Sequence, residues 1–151
     1  MAKIHMVLQG KGGVGKSLIA AALAQYKASK GQQPKCIDTD PVNSTLYGYK
    51  ALKVHKLQIL DGDEINPRNF DSLVEIIAPA EHDVIIDNGA SSFVPLSHYL
   101  ITNKIPGLLQ SMGHELVLEE LGGNASLGSF LMPQNQLIFD CCKRVCFGLI
   151  D

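Results

Sequence analysis

The sequence predicts an α/β fold, with a mostly parallel β-sheet flanked by helices in three layers. Three observations carry it. Short apolar runs alternate with stretches of helical period, the pattern of βαβ units around a parallel sheet. A glycine-rich segment, "GKGGVGKS" (Gly10–Ser17), joins the first run directly to the first helix. Two later runs each end in aspartate, "CIDTDP" and "DVIIDNGA".

The elements follow in order. Ile4–Leu8 is a short apolar run that reads as a buried strand. Ser17–Lys30 places Leu18, Ile19, Ala21, Ala22, Leu23 and Tyr26 on helical spacing, and Gly31 is a suitable stop. Lys35–Asp38 is a second strand, and Val54–Leu60 alternates weakly as a third. Phe70–Ala78 puts Phe70, Leu73, Val74, Ile76 and Ile77 on one helical face, with Asn66-Pro67 or Asn69 as its start and Pro79 as its limit. Val84–Ile86 is a fully apolar strand ending in Asp87. Leu96–Gln110 reads as largely helical with a break at Pro106-Gly107, and Glu115–Leu118 as another strand. After about Leu118 the period is lost. Gly recurs at short intervals and Cys141, Cys142 and Cys146 crowd the end, with Leu137–Phe139 a candidate strand. The expected organisation is a domain over 1–118 and an atypical tail over 119–151.

At 151 residues, 46% of them apolar, the chain suits one domain with a core that needs no staples. A net charge of −2 argues against nonspecific nucleic-acid or membrane binding, which depend on a basic surface, and the lack of Trp argues against a base-stacking platform. No stretch has the length of a signal peptide's core or a membrane span, so a cytoplasmic protein is expected. In that reducing setting the four cysteines are free thiols, and C-C-x-x-x-C is not a zinc spacing.

Gly10-x-x-x-x-Gly15-Lys16-Ser17 matches the Walker A pattern, with strand before and helix after. Glycines let backbone N–H groups turn inward around phosphate oxygens, and a helix N-terminus adds partial positive charge. Lys16 is expected on the β- and γ-phosphates and Ser17 on Mg²⁺. The fold class sharpens to a P-loop NTPase. The nucleotide set is Gly10, Lys11, Gly12, Gly13, Val14, Gly15, Lys16, Ser17 and Leu18. The Lys-Ser ending separates this loop from a dinucleotide G-x-G-x-x-G.

A Walker A loop does not require Lys11. "KGGVGKS" is the deviant form, and here the sequence resembles the ParA/MinD group of P-loop ATPases. The resemblance implies that Lys11 reaches across a nucleotide-dependent homodimer to the partner's phosphates, much as an arginine finger does. It implies a switch I role for "CIDTDP", with Asp38 near Mg²⁺ and Asp40 aiming the attacking water. It also implies a Walker B role for Asp87, holding the metal through water, with Gly89 as a switch II pivot. The expected catalytic residues are Lys11, Lys16 and Asp40, the metal residues Ser17, Asp38 and Asp87, and the cofactors ATP and Mg²⁺.

Five segments carry a narrower likeness: "MVLQGKGGVGKSLIAAALAQY", "CIDTDPVNST", "GDEINPRNFDSLVEIIAP", "DVIIDNGASSFVPLSHYL" and "MGHELV". They resemble the TraL family of conjugative plasmid transfer regions, from Met1 to about Leu118. That implies an accessory ATPase working with components of the conjugation machinery. Two departures stand out. Val42 follows Asp40-Pro41 where the ParA pattern usually has Gln. The tail from about Glu119 does not resemble the family's continuation, which holds the base-recognition segment, and reads as altered or frame-shifted.

The five histidines are scattered without a metal pair's spacing, and Ser91-Ser92 has no nucleophile-elbow context. Sequence-specific nucleic-acid binding has no motif. The rival readings are a nucleotide-driven dimerisation switch with negligible turnover, a small-molecule kinase or synthetase lacking a visible acceptor motif, and an inactive truncated product. The choice between ATP and GTP stays open.

Overall fold

The computed structural model describes residues 1–13 and 15–120. Val14, the expected strand Leu137–Phe139 and the cysteine cluster lie outside the described residues.

A five-stranded parallel sheet runs in the order β3-β2-β6-β1-β7. Its strands are β1 (Lys3–Leu8), β2 (Lys35–Asp38), β3 (His55–Lys56), β6 (Val84–Asp87) and β7 (Glu115–Glu120). A two-stranded antiparallel hairpin, β4 (Leu60–Asp61) and β5 (Glu64–Ile65), stands apart from it. The helices are α1 (Lys16–Ser29), α2 (Asn69–Ile77), α3 (Phe93–Thr102) and α4 (Ile105–Ser111).

Strand alternation divides the core in two. Ile4, Met6 and Leu8 of β1, with Ile37, Val84, Ile86, Leu116 and Leu118, face the layer of α2, α3 and α4. Phe70, Leu73 and Ile77 of α2 fill that side, and Phe70 is fully buried. Val7, Ile85 and Cys36 point the other way, against Ala20, Ala21 and Ala24 of α1. The alanines present only methyl groups to the sheet. The Cys36 thiol, buried there, is pushed up to about 11. This is the three-layer α/β arrangement that the run pattern predicts.

The helix ends follow local chemistry. Gly31 has φ 77°, and its N–H donates to Ala28 while that of Gln32 donates to Lys27. Those two bonds close a left-handed C-terminal cap that a side chain with a Cβ would strain. Before α2, Asn66 Oδ1 accepts from the Arg68 N–H, and the N–H of Asn69 donates to the Asn66 carbonyl. Of the two expected starts, Asn66-Pro67 forms a turn before the helix, Asn69 is its first residue, and Arg68 holds the N-cap position with no side-chain cap.

Two expectations need correction. The helical stretch expected over Leu96–Gln110 starts earlier, at Phe93, and breaks at Asn103–Lys104 rather than at Pro106-Gly107. Lys104 takes φ 53° and turns the chain, while Pro106 sits in the first turn of α4, where its missing N–H is not needed. The weak third strand keeps only His55–Lys56 in the sheet, and the chain then leaves for the β4–β5 hairpin, with Gly62 at φ 62° in its turn.

Asp83 ties the N-terminal ends of the strands together. Its Oδ1 accepts from the Lys3 N–H at 2.8 Å and its Oδ2 from Lys27 Nζ at 2.6 Å. Burial opposes the charge, yet the Lys27 amine and the Lys3 N–H hold this carboxyl below its ordinary range. His114 adds a second staple, accepting from the Ala2 N–H at 3.4 Å and donating to the Ala78 carbonyl at 2.7 Å.

Candidate functional site

In an open parallel sheet the loops at the C-terminal ends of the strands form the binding crevice. β1, β2 and β6 are adjacent in this sheet, so the glycine loop, Asp38–Asp40 and Asp87–Gly89 meet there.

The loop occupies the span between Leu8 and Lys16. Gly13 and Gly15 have φ of 69° and 91°, a left-handed backbone that glycine adopts without a Cβ penalty. A Cβ on Gly10 would lie 3.3 Å from the Phe93 ring, so the start of the loop rests on the start of α3. No side chain caps α1, which leaves its first-turn N–H groups facing the loop mouth for an anion. Lys16 is buried and its Nζ donates to the Lys11 carbonyl at 2.9 Å. Lys11 itself is exposed, as are Gly10, Gly12 and Gly13; Ser17 is half-buried and Leu18 exposed.

Asp38 and Asp87 are register partners on β2 and β6, both buried. Asp38 is well supplied with donors: Oδ1 accepts from the Asp40 N–H and Oδ2 from the Tyr47 N–H, each at 2.9 Å. Burial still raises its pKa, and the neighbouring Asp40 charge adds to that. Asp87 differs. Neither of its oxygens has a hydrogen-bond partner among the described residues. Burial, with smaller repulsion from Asp38 and Asp40, pushes it up to about 6. The Ser17 hydroxyl and Lys16 pull toward the charged form, though Ser17 stops short of full hydrogen-bond geometry.

Asp40 is half-buried. Its Oδ1 accepts from the N–H groups of Val42 at 2.8 Å and Asn43 at 3.1 Å, a local turn that the Asp-Pro pair sets up. Gly89 is packed against it. A Cβ there would lie 2.8 Å from Asp40 Cγ and Oδ1 and 3.1 Å from its Cα. Gly89 therefore admits the backbone of the second aspartate loop beside the first.

One network lay outside the sequence reading. The Thr39 hydroxyl donates within a cluster formed by the Asp87 carbonyl and Asn88 Oδ1, both at 3.0 Å, and Ser92 Oγ donates to the same Asn88 oxygen at 2.7 Å. All four residues are buried. They lock the loop after β2 to the loop after β6. Short polar residues after a motif aspartate are common in turns, so no signal in one sequence singles them out.

The structure thus gathers Lys16, Ser17, Asp38, Asp40 and Asp87 at one end of the sheet, with Lys11 on the outer surface of the loop. A shallow depression lined by Gly31–Pro34 and Glu81–Asp83 lies at the opposite end, before β2 and β6, and holds none of these groups.

A phosphate-type loop with three aspartates at the ends of two adjacent strands defines a nucleotide-binding P-loop class of protein. The chain belongs to the CobQ/CobB/MinD/ParA nucleotide binding domain family, which it matches over residues 5–142. It is similar to two Escherichia coli proteins, each called Protein TraL. One is 67% identical over 146 residues, covering 93% of this chain and 61% of that protein. The other is 72% identical over 129 residues, covering 84% of this chain and 54% of that protein. The chain therefore spans between half and two thirds of the length of these relatives. No solved structure matches it. No helix among the described residues is long and apolar enough to cross a membrane.

Proposed function

We propose that this chain is a cytoplasmic, Mg²⁺-dependent ATP-binding protein of the ParA/MinD type. It turns ATP over slowly when two copies close on nucleotide, and it acts as an accessory protein in plasmid conjugal transfer. The observation that carries the reading is Asp87: a buried carboxylate with no hydrogen bond among the described residues, at a strand end beside Lys16 and Ser17. A buried carboxylate without hydrogen bonds is costly to a fold, and a bound cation or a proton relieves that cost.

The donor set fits a hard divalent cation, which prefers carboxylate, hydroxyl and water oxygens. Ser17 and Asp87 would hold Mg²⁺, with Asp38 behind them; when bound, the ion supplies positive charge against phosphate oxygens. Asp38 is already engaged by two N–H groups, which suits an orienting role better than a leading one. Lys16 would leave the Lys11 carbonyl for the β- and γ-phosphates. Asp40 would accept a proton-side hydrogen bond from the attacking water and aim it. Lys11, which is exposed, would serve a second copy's nucleotide. Three exposed apolar residues flank the same mouth: Leu18 at 65%, Val42 at 73% and Val94 at 69% exposure, the kind of surface a dimer face covers. The conjugal role rests on the two relatives called TraL.

The test is light scattering with a nonhydrolysable ATP analogue and Mg²⁺. The wild type is expected to double its mass only with both present, and a GTP analogue tested alongside sets the base preference. A chain that binds neither analogue, or binds without any change in mass, overturns the reading.

A further inference from the structure

The net charge of −2 conceals a segregated surface. From Pro41 to Leu60 there is no acidic residue, while Lys50, Lys53, His55 and Lys56 all fall within it, with Tyr47 and Tyr49 beside them. This "YGYKALKVHK" segment crosses two short 3-10 turns, Leu46–Gly48 and Lys50–Leu52, into β3, the outermost strand of the sheet. Leu46 is buried in the α1-side core, and Leu52 and Val54 pack against that core; they anchor the segment. The three lysines and His55 are exposed, and Tyr47 and Tyr49 are 43% and 36% exposed. No lysine of the three forms an ion pair among the described residues; Lys50 Nζ lies 4.5 Å over the Tyr47 ring.

Lysines on an edge strand can simply guard it against pairing with another chain. That accounts for Lys56. It does not account for Lys53, which holds φ 48° and ψ 46°, a left-handed position where glycine or asparagine is the unstrained choice. Lys53 closes the 3-10 turn Lys50–Leu52 in that left-handed position, so the turn holds its cation beside Lys50 and Lys56 and next to two half-exposed tyrosines, a cluster of like charges with no ion pair among the described residues.

We propose that Tyr47–Lys56 is a docking surface for single-stranded nucleic acid, with phosphates on Lys50, Lys53 and Lys56 and a base against the tyrosine pair. Spaced cations track a flexible phosphodiester backbone, and an aromatic face accepts any base, the combination that binds single strands without sequence preference. A rigid acidic helix would use the lysines but leave the tyrosines idle. The segment touches the candidate site through the Tyr47 N–H on Asp38, but none of its side chains is a proposed nucleotide ligand, so oligonucleotide binding measured without ATP fails or succeeds apart from the nucleotide reading.

The experiment is fluorescence anisotropy with a labelled oligothymidylate of roughly 15 nucleotides, on the full chain. Binding is expected at low salt, with log affinity falling against log salt at a slope of about −2, as three neutralised phosphates on a single strand require. The double variant Lys50→Glu/Lys53→Glu is expected to lose about tenfold or more, and Tyr49→Ala about fivefold or more. Lys53→Gly removes the backbone strain, so it should fold at least as stably as the wild type and still bind more weakly. Three results overturn the proposal: no binding at low salt, unchanged binding by Lys53→Gly and the double variant, or tighter binding of a duplex or an oligoglutamate peptide than of the single strand.

Discussion

The side-chain amine of Lys16 donates to the main-chain carbonyl of Lys11 at 2.9 Å, so the two lysines of the glycine loop face opposite ways. The Lys16 side chain is folded into the loop and buried, while Lys11 is exposed. The loop holds one cation inside, where phosphate would replace a carbonyl, and one outside.

This division predicts different losses. Lys16→Ala should weaken nucleotide binding by about two orders of magnitude, the effect of removing one partner from a buried charged contact. Lys11→Ala should bind nucleotide as a monomer but fail to dimerise, and its turnover should fall by roughly a thousandfold, the lower end of what a trans-acting cation supplies. Calorimetry with an ATP analogue, light scattering and phosphate release separate the two. Equal loss of binding in both variants would remove the outward role of Lys11.

Asp87→Asn should stabilise the chain in the absence of metal and nucleotide. Burial raises the carboxyl from 3.8 to about 6, so the folded chain binds its proton more tightly than the unfolded chain does. That contribution to stability is fully present below about pH 4 and is lost as pH rises through about 6. The wild type therefore carries a penalty of about 3 kcal/mol at pH 8 that the amide avoids. Urea melts at pH 8 and pH 4 should show a gain at the first and almost none at the second. The same variant should lose Mg²⁺-dependent nucleotide binding, and a destabilised variant at pH 8 would contradict the reading of an unpaired carboxylate.

Gly89→Ala should lower turnover by about 10- to 100-fold while nucleotide affinity changes little. Its φ is not in the left-handed region, so alanine adds no backbone strain; the added Cβ instead meets Asp40 at 2.8 Å. Displacing a group by an ångström is enough to disorder an aimed water. Single-turnover kinetics alongside equilibrium binding tests the split, and an unchanged rate would free Asp40 from this contact.

Between α2 and α3, Tyr99→Phe should cost about 1–2 kcal/mol, because the Tyr99 hydroxyl donates to Asp71 Oδ1 at 2.5 Å. Burial, with Asp71 beside it, pushes that phenol up to about 12, so the bond is intact across the ordinary pH range. Phe70→Ala, which empties a fully buried site against the same ring, should cost about 3–5 kcal/mol. Urea denaturation of both variants orders them, and a Tyr99→Phe loss as large as that of Phe70→Ala would mean the bond does more than staple two helices.

Much of this site was legible before the fold. The Walker spacing names Gly10, Gly15, Lys16 and Ser17 because phosphate binding needs those residue types at those distances along one chain. The aspartates at strand ends were visible because an apolar run ending in a carboxylate is a local pattern. The break before α4 was not, because Pro106 is as compatible with a first turn as with a kink, and only the φ of Lys104 decides between them. The β4–β5 hairpin escaped for a related reason: two-residue strands carry no period.

Local spacing by itself determined the phosphate loop, the alternating elements and the class of chemistry, since each depends on residues within a turn or two of one another. Only the tertiary structure decided which side chains end up without partners and which loops touch. Asp87 lacks a hydrogen bond among the described residues because register sets it against another carboxylate, Asp38, while Lys16 acts on it only as a nearby charge. Asp40 meets Gly89, and Thr39 meets Asn88, because β2 and β6, far apart in sequence, lie side by side in the sheet. Parallel pairing joins distant segments, and the energy of such contacts is set by positions that no local pattern encodes.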